Sequence, residues 1–358
     1  MMQYKKWALW LIVLTLVTLV LFAAAMFFID PLMMFRDGSK TFSSFVYNQL
    51  YSAPGVARHM DYDSVVTGSC MVGQFDVNEV NELFGTDALK LTFNGATEKN
   101  IRTILDICYE KNPDLKTVFL SLDSFGAIDP ADQTGYPLPE YMYELSPSSY
   151  ATYLLNLDVF YHFGLKNVLG SLRGRKSGPT EIGPDHADGT YGARYVLGTG
   201  KPLDPDSVVQ TDTSMYAVNT QDNLRENLLP IIEAHPETEF VFYLPPYSIL
   251  YWEKQKAIGT LQPMVESMRE VVGACLKYDN VRIYSFMWDQ EYILDLDNYR
   301  DIMHFSSEVA SRVLEGIGQE RGRLTQENYS EQLDGFLDFV ESFDFDAFYA
   351  QQVASLQG

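Results

Sequence analysis

The chain has little of what usually betrays a function at sight. Cysteine is scarce: Cys70, Cys108 and Cys275 are the only three in 358 residues, too few and odd in number for the disulfide framework that small secreted domains rely on. There is no glycine-rich phosphate loop, no internal repeat and no coiled-coil heptad, which argues against the common nucleotide-binding and solenoid classes. Positive charge is also short, with 26 Lys and Arg against 48 Asp and Glu and a formal net charge of −22. No concentrated basic patch interrupts that excess. A surface so acidic repels phosphate backbones, so no nucleic-acid partner is expected. Metal-ligating patterns are thin as well. "PDHADGT" sets His186 between Asp185 and Asp188, but in a Pro/Gly loop this reads as a turn, and "DLDNYRD" lacks the glycine and terminal glutamate of a calcium loop. Neither a metal nor a cofactor is expected.

One long apolar run is present, and it lies at the start. About 23 uncharged residues, Trp7 to Ile29, follow Lys5 and Lys6 and precede Asp30 and Asp37. That length suffices for a transmembrane helix, and the flanking charges place the N-terminus inside and the rest outside. A cleavable signal peptide is the competing reading, but its apolar core spans only about 7–15 residues and "AAAMFF" is a poor cleavage site. The expectation is a cytoplasmic stub (1–6), a membrane anchor (7–29) and an extracytoplasmic remainder. Residues 30–60 form a lead-in without clear periodicity.

The main body follows, and its 46% hydrophobic and 14% aromatic content can fill a core. "SVVTG", "ALKLTF" and "TVFLSL" read as buried strands, separated by helices over "DVNEVNELFG", with Asp76 as N-cap, and from Thr97 to about Lys111. The rhythm fails from 126 to 216, a Gly- and Pro-rich insertion around one or two helices. It then resumes with helix, strand ("EFVFYLPPYS"), helix and strand ("NVRIYSF"). This order predicts an α/β fold with about five mainly parallel strands over residues 61–325, followed by an acidic, aromatic helical tail at 326–358.

In open α/β sheets, ligands gather beyond the carboxyl ends of the strands. Cys70 lies just past the first strand, Gly95 past the second, and Asp301 and His304 past the last. Asp301-x-x-His304 lets a carboxylate take the Nδ1 proton and leave Nε2 to face a nucleophile. A thiol beside an imidazolium and a helix N-terminus reacts as a thiolate, and backbone amides near Cys70 and Gly95 can receive an oxyanion. The alternative stays open: Cys70 as a small apolar plug, and the acid–histidine pair as a helix cap. Cys108 and Cys275, each on the apolar side of a helix, read as core. His162 reads as a packed helix residue, and His59 and His235 as surface or capping residues.

These residues carry a resemblance. The chain resembles the SGNH (GDSL-type) hydrolases, in particular the membrane-anchored kind of Gram-positive bacteria, whose G-T-S-M-T-x-N-F block is matched by "GSCMVGQF". "LFG", "LKLTFNGAT", "YLPPYSILYW" and "NYRDIMHFSSEVA" are also similar to family segments, and the likeness runs from about Asp30 to the C-terminus. More distantly the chain is similar to the D-alanine transfer protein of the teichoic-acid pathway and to exopolysaccharide O-acetylation proteins. The resemblance implies a three-layer α/β/α, flavodoxin-like domain, with Cys70 in the nucleophile's place, Gly95 as oxyanion donor, and Asp301 with His304 completing a triad. Two positions depart from the pattern: cysteine replaces serine, and Asp123 stands near the family's oxyanion-binding asparagine. An ionised carboxylate cannot donate to an oxyanion, so Asp123 is expected to bind a substrate hydroxyl or to leave the oxyanion to backbone amides. The implied function is acyl transfer or ester hydrolysis on cell-surface glycans or polymers, with a membrane-bound O-acyltransferase as partner. The competing reading is a glycan-binding or scaffold protein without catalysis on the same fold.

Overall fold

A computed structural model describes residues 2–38, 42, 48–174, 181–182, 190–199 and 208–356. His186 lies outside them, as does most of the Pro/Gly loop around it. The chain divides into two compact units: Met1–Asp61 with Asp106–Lys111 and Pro137–Ile182, and Tyr62–Leu105 with Asn112–Tyr136 and Gly183–Gly358.

The first unit opens with helix α1, Met2–Ile29. Its segment Tyr4–Ile29 is long and apolar enough to cross a membrane, and almost none of it is covered by protein. The helix stops at Asp30, which is fully buried at φ +40°. Its carboxylate accepts the amides of Met34, Phe35 and Arg36 at 2.9, 3.1 and 3.2 Å and the Tyr153 hydroxyl at 3.0 Å. The lead-in holds a helix that its sequence hides, α2, Gln49–His59, capped by Asn48. Six successive residues, Ser52 to Ala57, are buried. A helix covered on all sides shows no amphipathic period, and Pro54 and Gly55 mask it further. Gly55 is required there, since a Cβ would lie 1.9 Å from the Leu32 carbonyl oxygen.

The second unit is built on six strands: β1 Ser64–Gly68, β2 Ala88–Thr92, β3 Thr117–Ser121, β4 Glu239–Leu244, β5 Val281–Ser285 and β6 Arg323–Leu324. Within this unit they run in the order β2-β1-β3-β4-β5-β6. The first five are parallel and β6 is antiparallel to β5. The chain is thus α/β with a mostly parallel sheet. β1, β2 and β3 are buried along their whole length, which is why they read as continuous apolar runs. The sixth strand corrects the expected five; two residues are too short to produce a pattern.

Helix α3, Val77–Phe84, starts at Asp76, whose side chain accepts the Asn78 amide, and ends at left-handed Gly85. Helix α4 is Glu98–Lys111. Cys108 and Cys275 are both fully buried. His162 corrects the expectation of a packed residue: it is exposed, because Val159 and Phe163 take the inward side of that turn. The tail forms helices Tyr329–Ser342 and Phe345–Ser355. It packs on the sheet unit, where Phe336, fully buried, meets Trp252 edge-on at 4.8 Å. Arg269 adds an ion pair to Asp334 at 2.7 Å.

Truncating Phe336 to Ala removes a buried ring from that contact and is expected to lower unfolding stability by about 3–5 kcal/mol. The exposed Val353→Ala should change it by less than about 0.5 kcal/mol. Chemical denaturation of both variants checks this, and equal midpoints would show that the tail does not share the core.

Candidate active site

The site begins where β1 ends. Gly68 has φ +142°, and a Cβ there would lie 2.3 Å from Ser121 Oγ, so only glycine lets the chain leave the strand this way. Ser69 then caps a short 3₁₀ turn, Cys70–Val72, its hydroxyl accepting the Met71 amide at 3.2 Å. Met71 and Val72 face inward while Cys70 is part-exposed. Two further contacts hold the turn from below. The Tyr243 hydroxyl donates to the Met71 carbonyl at 3.0 Å, and the ammonium of buried Lys90 donates to the Phe75 and Gly73 carbonyls at 2.8 and 3.2 Å.

The second element is the loop after β5. Tyr299 and Phe305 form an antiparallel bridge, and the Arg300 amide donates to the His304 carbonyl at 3.1 Å, which closes the turn between them. Inside the turn, Asp301 Oδ1 accepts the amides of Met303 and His304 at 2.8 and 2.9 Å. Ser248, just beyond β4, donates its amide and hydroxyl to the Ile302 carbonyl at 3.2 and 2.7 Å. The loop passes into helix Ser307–Gly318, capped by Ser306.

These two elements bring the sulfur and the imidazole together although 234 residues separate them. His304 Nε2 lies 3.0 Å from Cys70 Sγ. On its far side, Nδ1 lies 2.8 and 3.0 Å from the two Asp301 oxygens. The carboxylate therefore fixes the ring's orientation and its Nδ1–H. Burial alone would raise the Asp301 pKa, but the hydrogen bonds from His304 outweigh it and hold the group at about 2. Burial would lower the His304 pKa; the bonds to Asp301 and Cys70 and their charges overcome this and lift it to about 10.

Gly95 leaves the sheet beside the turn. Register pairs Gly68 with Thr92, so Cys70 and Gly95 follow adjacent strands out at the same edge. Gly95 is exposed, at φ +59°. Its carbonyl is crowded by Gly135, where a Cβ would fall 1.9 Å away, and the Gly135 amide is tied to Asn100 Oδ1 at 2.9 Å. A side chain at 135 would displace the Gly95 loop.

Asp123 sits elsewhere than a substrate-facing role requires. It is buried, 7% exposed. One oxygen accepts Ser121 Oγ–H at 3.2 Å and the other the Tyr247 hydroxyl at 3.1 Å, and Ser69 lies close enough to favour its charged form. Asp123 thus sits behind the Cys70 turn. Burial, only partly offset by these bonds, pushes its pKa up to about 6, and burial followed by the charge of Asp123 pushes neighbouring Glu98 up to about 7. Sequence reasoning assigns no role to Ser69, Ser121 or Tyr247, although Tyr247 lies in "YLPPYSILYW". It also misses Tyr191, whose hydroxyl accepts from Gln74 Nε2 at 3.1 Å and which lies within the field of Arg300 and Asp301. Among the described residues no cluster of three metal-ligating side chains occurs.

The pKa directions make a pH prediction. His304, raised above its ordinary 6.5, contributes stability that is fully present below about pH 6.5 and lost as pH rises through about 10. Asp301, depressed, contributes stability present above its ordinary 3.8 and lost as pH falls through about 2. The His304 ring should titrate by NMR near 10 in the wild type and clearly lower in Asp301→Asn. A wild-type midpoint near 6.5 would contradict the geometry.

No protein-family model matches this chain, and no curated protein matches it. Among solved structures, the one described as "a putative platelet activating factor from Streptococcus pneumonia" is similar at 12% identity, over 76% of this chain and 89% of that chain, with a TM-score of 0.38.

Proposed function

We propose that this protein is a membrane-anchored, extracytoplasmic acyltransferase or esterase of SGNH type, acting on acyl groups of cell-surface glycans or polymers through Cys70, His304 and Asp301. The observation that carries this reading is the 3.0 Å contact between His304 Nε2 and a part-exposed Cys70 Sγ, with Asp301 bonded behind the ring. An imidazolium in contact with sulfur is the setting in which thiols react as thiolates.

In the proposed sequence His304 Nε2 already holds the proton in the resting pair, and the sulfur attacks the carbonyl carbon of an acyl ester as the thiolate. The oxyanion formed is met by the backbone amides of Gly95 and Cys70. Collapse breaks the bond to the leaving oxygen, which takes the proton from His304, and a thioester remains on Cys70. A hydroxyl of the acceptor, or water, then gives its proton to His304, attacks the thioester, and releases the thiolate beside the re-formed imidazolium. A thioester is a good acyl donor to hydroxyls and amines, so cysteine in this place suits relay at least as well as hydrolysis. Asp301 stays ionised throughout and stabilises the imidazolium. The buried place of Asp123 supports an oxyanion site made of backbone amides alone. Lys5 and Lys6 ahead of α1, with Asp30 and Asp37 after it, support an orientation with the main body outside. By the family resemblance, the expected partner is a membrane-bound O-acyltransferase that exports acyl groups.

The test is turnover of p-nitrophenyl acetate together with intact mass of the quenched protein. The wild type should show an acetyl adduct on Cys70, and Cys70→Ala should lose the adduct and at least about 10³-fold in kcat/KM. His304→Ala should suppress adduct formation. Turnover unchanged in Cys70→Ala would refute the proposal, and absence of both turnover and adduct in the wild type would favour a binding or scaffold role.

A further inference from the structure

The first unit carries a surface that the proposed chemistry leaves unused. From Leu157 to Leu172 the chain is helical, as Leu157–Val159, a π turn Phe160–Gly164 and Leu165–Leu172. Four faces are distinct. Val159, Phe163 and Asn167 are buried. A second face meets α1: the Phe160 ring packs edge-on against Phe22, centroids 5.5 Å apart, and a Cβ on Gly164 would lie 3.9 Å from both Ile29 and Pro31. A third carries Asp158, His162 and Lys166, all exposed. The fourth is apolar and open: Leu157, Tyr161, Leu165, Leu169 and Leu172 are exposed by 58, 60, 39, 42 and 75%.

A spacing of four drifts around an ordinary helix. The wider i→i+5 turn at Phe160–Gly164 keeps Leu157, Tyr161 and Leu165 in one line, so the π turn and the stripe belong to one design. A contiguous apolar face of this length standing in water marks an interaction surface.

Its height along α1 says what covers it. Phe22 lies seven residues before Ile29, on the order of 10 Å at about 1.5 Å per residue. The 26-residue segment Tyr4–Ile29 is roughly 39 Å long, against a hydrocarbon core of about 30 Å. With the segment centred, about 4–5 Å projects beyond each edge, so Phe22, and Phe160 with it, falls roughly 6 Å beneath the outer edge of that core. The height is fixed by the structure between them, because Asn167 Nδ2 donates to the Pro31 carbonyl at 3.1 Å and Tyr153 bonds both Asp30 and the Leu32 amide.

We propose that the helix from Leu157 to Leu172 lies in the outer interface of the bilayer that α1 crosses, its leucine face in the acyl boundary and His162 and Lys166 among the headgroups. This rests on α1 being a membrane span. A second, interfacial helix gives the first unit a fixed tilt over the lipid, which one spanning helix alone does not supply.

The test uses the full chain in phosphatidylcholine–phosphatidylglycerol nanodiscs, in a Cys70→Ala background where the remaining Cys108 and Cys275 are fully buried. Nitroxide labels are attached singly at Leu14→Cys, Leu165→Cys, Leu172→Cys and Lys166→Cys, and their collision with oxygen is compared with that of a water-soluble nickel complex. The expected result is oxygen-dominated collision at 14, 165 and 172 and nickel-dominated collision at 166. Nickel access at 165 and 172 equal to that at 166, with 14 in lipid, overturns the interfacial helix alone. Nickel access at 14 overturns the span and the proposal with it.

Discussion

One contact between distant parts of the chain gives the rest its meaning: the 3.0 Å approach of His304 Nε2 to Cys70 Sγ. Neither residue is reactive by type in a way that its position in sequence guarantees. A cysteine on a turn is ordinary, and so is a histidine before a helix. The parallel sheet makes the pair, because it sends β1 and β5 out at the same edge and leaves their loops to converge there. Ser248 joins the His304 loop to the segment after β4, and Tyr243 joins the Cys70 turn to β4 itself. Both partners are therefore held against one strand.

The support beneath the nucleophile has a cost in stability. Asp123 is ionised in a buried place, and a carboxylate raised to about 6 costs the fold on the order of 3 kcal/mol once the pH exceeds that value. Its bonds to Ser121 and Tyr247 are what that cost maintains. A destabilising group kept behind the Cys70 turn is the kind of local conflict that functional sites contain. The part-exposed sulfur, the backbone under it and the ring held by Asp301 form a preorganised set.

Much of the fold and of the site is legible in the amino-acid sequence, for definite reasons. Strands buried on both faces leave largely apolar runs, so β1 to β3 stand out. Asp301-x-x-His304 is a local turn, so its spacing survives in the sequence. Gly68, Ser69 and Cys70 break a strand abruptly and flag a turn. What stays hidden depends on contacts between distant residues. Helix α2 is covered all round and has no period; β6 is two residues long. Asp123 reads as a substrate-binding acid until Ser121 and Tyr247 are seen to use both its oxygens. The leucine stripe from Leu157 looks out of phase until the π turn at Phe160–Gly164 is known.

The most direct measurement is the rate at which iodoacetamide alkylates Cys70 near neutral pH, followed by peptide mass spectrometry in the wild type and in His304→Gln. If the imidazole contacts and activates the sulfur, the wild-type rate should exceed that of the variant by at least about tenfold. Equal rates would mean that sulfur and ring do not act as a pair.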